Sequence, residues 1–93
     1  MFESILKQMR EKLSARQYIV TTHARKEMLD DDLSMDDVEL VILNGEIMER
    51  QKDRVTAEWK YRLQGVATDA RLVEVVAKLA VTGKLVVVTV YKQ

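Results

Sequence analysis

The segment Thr22-His23-Ala24-Arg25-Lys26 sets the only histidine of a 93-residue chain beside two cations. Thr22 reads as the N-cap of a helix that begins at His23, and the positive end of that helix favours a neutral imidazole. A neutral imidazole next to a bound phosphate can act as a general base. Arg25 and Lys26, with the free N–H groups of the first turn, would hold the anion. The competing reading is plainer: His23 is partly buried and hydrogen-bonded to backbone, and the two cations are solvated.

Two other stretches carry weaker chemistry. In Trp59-Lys60-Tyr61-Arg62, strand alternation sends the aromatic pair to one face and Lys60 and Arg62 to the other. Those two cations either form a solvated face or track a nucleic-acid backbone. In Thr89-Val90-Tyr91, the two hydroxyls share a face. They either satisfy buried polar neighbours or lie at the rim of a concave site with His23.

Composition excludes several alternatives. With no Cys and one His, the chain has no disulfide framework, thiolate nucleophile or multi-His metal site. No Gly-rich phosphate loop and no Ser–His–Asp spacing is present, so no cofactor is expected. Fifteen basic and fifteen acidic side chains give zero net charge, yet the charges are segregated. Residues 1–28 carry net +3, residues 29–49 net −8 and residues 50–93 net +5. A neutral chain patterned this way can attract a phosphate locally while offering an acidic flank to a basic partner. The first 16 residues contain no apolar run of signal-peptide length, and runs such as Leu85–Val88 fall far short of a spanning helix. The expectation is a cytoplasmic protein with no membrane partner.

The elements that must position these groups follow from hydropathy periods. Phe2, Ile5, Leu6, Met9 and Leu13 form one stripe of an N-terminal helix over residues 1–16. Tyr18–Val20 is β-prone. A helix from His23 to about Asp30 would bury Ala24, Met28 and Leu29. Ser34 and Asp37 resemble a capping box for a helix from Met35 to Leu43, which Asn44-Gly45 ends in the left-handed region. From Glu46 the period becomes two: Glu46–Gln51, the Trp59 strand, Leu72–Leu79 and Leu85–Tyr91 form a meander, with Thr82-Gly83 as the last turn. The expected fold is one α+β domain over residues 1–93, with N-terminal helices packed on an antiparallel sheet of about four strands.

In order and spacing, several of these residues resemble the bacterial domain of unknown function 4258 family. They are Thr22-His23-Ala24-Arg25, Met28, Leu33-Ser34, Asn44-Gly45-Glu46-Ile47, Gly65, Thr68-Asp69, Arg71 and the closing Val88-Thr89-Val90-Tyr91. The resemblance spans about residues 18–91. It implies a fold like that of RelE/MqsR-like ribonuclease toxins, and an endoribonuclease working beside an antitoxin. Carried across, the family's His-Ala-Arg falls on His23, Ala24 and Arg25, its later Arg on Arg71, and its Thr-x-Tyr on Thr89 and Tyr91. The chain departs from it twice: Asp31-Asp32 stand where many members have Arg-Gly, and Glu74 stands where many have a second His. The resemblance therefore implies metal-independent RNA cleavage, with His23, Arg25, Arg71 and Tyr91 as catalytic residues. Lys26, Lys60, Arg62 and Thr89 would bind RNA. The alternative is a non-catalytic module whose acidic segment or N-terminal helix engages an antitoxin-like protein or a second copy of the chain.

Overall fold

The stripe Phe2–Leu13 does form a helix, α1 (Glu3–Ser14), in a computed structural model that describes residues 1–93. After it come β1 (Tyr18–Val20), α2 (Thr22–Asp30), α3 (Met35–Asn44), β2 (Glu46–Lys52), β3 (Trp59–Val66), β4 (Leu72–Leu79) and β5 (Leu85–Lys92). The fold is α+β. Met9 and Leu13 of α1 and Val38, Val41 and Ile42 of α3 bury their side chains among Leu63, Val73, Val75, Val87 and Val90 of the sheet. Burial of this apolar surface is the main force holding the helices on that face. The alternate positions of β3 and β4, among them Arg62 and Glu74, form the opposite face.

The sheet has five strands in the order β1-β5-β4-β3-β2. This corrects the expectation of about four antiparallel strands: β2 to β5 are the antiparallel meander, and β1 adds to β5 in parallel. Three residues are too few to display alternation, and a parallel pairing between Tyr18 and Leu85 leaves no turn in the sequence to announce it.

Past β1 the outer edge of β5 would be bare, and α2 covers it with side chains. Thr21 Oγ1 donates to Val88 O (3.1 Å), Val90 N donates to Glu27 Oε1 (3.1 Å) and Lys92 N donates to Asp31 Oδ2 (3.1 Å). These bonds satisfy ladder groups that a further strand would otherwise take. The N-cap is Thr21 rather than Thr22, because its hydroxyl accepts from Ala24 N. Ala24 is buried, whereas Leu29 is exposed, since it lies off the Ala24–Met28 stripe.

The Ser34–Asp37 capping box opens α3 as the spacing predicts. Its end differs from expectation. Gly45 has φ −84°, not a left-handed angle, and its smallness serves a close approach instead. A Cβ there would lie 2.4 Å from both Val41 O and Gln64 O. Arg10 of α1 completes this end, donating from Nε to Ile42 O (2.8 Å) and from Nη2 to Gly45 O (3.1 Å). A guanidinium suits the negative end of a helix. No helix is long and apolar enough to cross a membrane.

Candidate functional site

His23 lies on the first turn of α2 at the β5 edge, and its side chain is 68% exposed, which removes the partly buried reading. Its Nε2 is 3.2 Å from Glu27 Oε1, one helical turn on. That carboxylate oxygen accepts from Val90 N, so it is anchored to the sheet while it lies against the imidazole without a hydrogen bond to it. A largely exposed ring with one nitrogen beside a carboxylate can present the other to solvent, the arrangement a general base needs. Lys26, three residues on, is a neighbour of His23 on the helix surface, whereas Arg25, two residues on, is turned away. Both cations are exposed, and neither takes part in an ion pair.

On the open face of the sheet, β3, β4 and β5 bring Arg62, Glu74 and Tyr91 together. Register places Gln64 opposite Glu74 and Glu74 opposite Tyr91, with Arg62 one alternation away. Glu74 is 4% exposed and fully engaged. Its Oε1 accepts from Arg62 Nη1 (2.6 Å) and Gln93 Nε2 (2.7 Å), and its Oε2 accepts from the Tyr91 hydroxyl. The bond to Glu74, then burial, hold the Tyr91 phenol above its ordinary pKa. A phenol kept protonated and turned onto a carboxylate is a poor proton donor to a substrate. Arg62 also binds Glu49 (3.1 Å). These carboxylates raise its pKa further, the Glu49 bond foremost, and they neutralise its charge toward any incoming anion. Lys60 and Thr89 make no hydrogen bond through their side chains and stand half-buried on this same face.

Arg71 sits elsewhere, in a clip that joins the β3–β4 loop to the helical segment. Its Nη1 and Nη2 donate to the carbonyls of Asp31 (2.6 Å) and Asp32 (2.7 Å). Its Nε pairs with Asp69 (2.6 Å) as an ion contact without hydrogen-bond alignment. The guanidinium is thus committed to protein oxygens on all sides. Beside it, Asp37 is almost fully buried. Burial alone would raise its pKa, but hydrogen bonds from the Ser34 backbone and hydroxyl and the Thr68 backbone and hydroxyl lower it to about 2. Asp31 and Asp32 supply the backbone oxygens for Arg71, and Asp32 adopts φ 54°.

The structure therefore divides the candidate residues. It joins His23 with Lys26 on one helix face and Arg62 with Tyr91 on the sheet, and it sets Arg71 in the loop clip. Two carboxylates that contact candidate residues are given no partner in the sequence reading, although Glu74 is noted there as a departure. Glu27 was visible as the i+4 partner of His23. Glu74 was visible as the one acidic residue in a Val-rich strand, a position where a charge needs partners. The largest concavity, about 730 Å³, runs along α1 and touches none of these groups. No three His, Cys, Asp or Glu residues are grouped to hold a metal ion.

No curated protein and no solved structure matches the chain. The family model described as domain of unknown function DUF4258 does match, over residues 20–92, from the last residue of β1 to the last residue of β5 and leaving α1 outside. The chain belongs to that family.

Proposed function

We propose that this domain cleaves RNA without a metal, in the manner of a RelE/MqsR-like toxin, at the β5 edge around His23. The observation that carries the reading is the exposed imidazole whose Nε2 lies 3.2 Å from Glu27 Oε1. His23 removes the proton from a ribose 2′-hydroxyl, and the resulting oxygen attacks the adjacent phosphorus. The P–O bond to the 5′-oxygen breaks, leaving a 2′,3′-cyclic phosphate and a 5′-hydroxyl. Lys26 faces the charge that develops on the phosphate oxygens. Solvent, which reaches this exposed edge, protonates the leaving oxygen, because Tyr91 directs its proton to Glu74. Arg71 holds the fold and does not touch phosphate in this reading. One general base and one cation supply a modest acceleration, on the order of 10²–10⁴-fold from the base.

The test is cleavage of cellular RNA by the purified chain, with End-group analysis of the products. His23→Ala should lose on the order of a hundredfold or more, and Glu27→Gln should lose less. A wild type without cleavage, or a His23→Ala chain that cleaves equally, overturns the proposal. A second reading, a non-catalytic interaction module, draws on a different observation. Asp30, Asp32 and Asp36 are exposed and enter no ion pair, which suits a basic antitoxin-like partner. Capture of such a partner by an RNA-inactive chain favours that reading.

A further inference from the structure

The strongest unassigned cationic surface lies at the opposite edge of the sheet, around Trp59. This indole is 41% exposed. Arg50 places its guanidinium carbon 4.2 Å from the ring centroid, and Lys52 its ammonium 5.6 Å away. Pairing of Lys52 with Trp59 and Arg50 with Tyr61 explains the arrangement, since cross-strand partners share a face. Neither cation meets a carboxylate, and Arg54 is exposed in the adjoining turn. Beside them Trp59 lines an apolar groove of about 300 Å³ with Ile5, Tyr61, Leu79 and Val81. Val81 is 95% exposed. The one carboxylate on this groove, Glu58, is neutralised by Lys78 Nζ at 3.1 Å.

We propose that this groove takes an unpaired base of single-stranded RNA, with Arg50, Lys52 and Arg54 on the flanking phosphates. An apolar floor with an exposed indole suits a base face. Cations already gathered around that ring suit phosphate, and unpaired charge there is complementary to a polyanion. A duplex hides its base faces and cannot enter the groove. An acidic peptide would meet the cations but leave the apolar floor empty. The inference deepens the RNA-cleavage reading and rests on it for the choice of RNA. Trp59 lies on β3, two strands from β5 and about 10 Å across the sheet, and register sets it four residues, about 13 Å, along the strands from the level of Val90. The groove is therefore a binding subsite for nucleotides distant from the cut.

Trp59 is the only tryptophan, so its fluorescence reports on this surface alone. The full chain is titrated with a 2′-O-methyl oligouridylate, which cannot be cut through its 2′-oxygen, with a duplex of equal length and with polyglutamate. Labelled-oligonucleotide anisotropy gives affinity across salt concentrations. Single strand should quench Trp59 and bind at least tenfold tighter than either competitor. Arg50→Gln/Lys52→Gln should reduce the log–log salt slope by about 1.4, from about 0.7 per phosphate contact on single strands. Trp59→Leu should weaken binding about fivefold or more, while Arg16→Gln, at the far end of α1, leaves the slope unchanged. Absent quenching at saturation, equal duplex or polyglutamate binding, or an unchanged slope in the double variant overturns the proposal. RNA cleavage that depends on His23 without Trp59 quenching defeats this subsite alone. Quenching by a chain that cleaves nothing supports the subsite and defeats the cleavage reading.

Discussion

Replacing Asp37 by Asn is the sharpest test of how this sheet and its helices are clipped together. The carboxylate is almost fully buried and accepts four hydrogen bonds: Ser34 N at 2.8 Å and Ser34 Oγ at 3.2 Å on one oxygen, Thr68 N at 2.9 Å and Thr68 Oγ1 at 2.8 Å on the other. An amide is the same size but has one accepting end. The hydroxyl facing its NH₂ can turn round and accept; the backbone N–H cannot. One part-buried donor is therefore orphaned, costing about 1 kcal/mol or more, and the surviving bonds lose their charge assistance. The expected destabilisation at pH 7 is about 2–4 kcal/mol, a large share of a small domain's stability.

The same site carries a pH signature. Asp37 titrates at about 2 in the folded chain against an ordinary 3.8. A depressed carboxylate stabilises the fold above its unfolded pKa, and that stabilisation is lost as pH falls through the folded value. The shift corresponds to about 2 kcal/mol, lost mainly between pH 4 and pH 2. Urea unfolding followed by circular dichroism at pH 7 and at pH 2 measures it. Asp37→Asn should show its full deficit at pH 7 and a deficit smaller by about 2 kcal/mol at pH 2. An equal deficit at both pH values, or a variant as stable as wild type at pH 7, refutes the argument.

Two further outcomes separate fold from chemistry. Arg71→Lys cannot span the Asp31 and Asp32 carbonyls; it should lower stability by about 2 kcal/mol while cleavage per folded molecule is unchanged, and a hundredfold loss of cleavage at unaltered Tm would return Arg71 to the phosphate. Tyr91→Phe removes the sole partner of the buried Glu74 Oε2 and should cost about 1–3 kcal/mol in urea unfolding. It should also flatten the decline of wild-type stability above pH 10, where the unfolded phenol ionises before the folded one; an unchanged alkaline limb counts against the Tyr91–Glu74 bond.

What could be read from the residues, and what could not, follows the reach of each interaction. The α1 stripe, the Ser34–Asp37 box and the meander are local patterns, and each is present. The parallel β1–β5 pairing joins residues more than 60 apart with no tight turn directly linking the two strands, so periodicity is silent about it. The same holds for the site. His23 and Glu27 are one helical turn apart, and their pairing was within reach of the spacing rule. The Arg71 clip depends on carbonyls of Asp31 and Asp32, and a guanidinium bound to backbone leaves no trace in the partner's residue type. Trp59 shows a third case. Alternation assigned it correctly to the face of Tyr61, but position along the strand decides burial: Tyr61 lies within the core and Trp59 at the hairpin end beyond it.

Glu27 ties the proposed base on the edge-covering helix to the sheet. One oxygen, Oε1, accepts from Val90 N of β5 and lies against His23 Nε2. The backbone donor fixes the carboxylate relative to the sheet, and the carboxylate offers the exposed imidazole a charge partner at a set place on the β5 edge. A histidine on a nine-residue helix would otherwise sample several rotamers, and a base that wanders loses much of the advantage of proximity. The shared oxygen predicts that Glu27→Ala removes both contacts, so loss of cleavage and opening of the β5 edge should arrive together, whereas Glu27→Gln keeps an oxygen for Val90 N and should leave the edge closed.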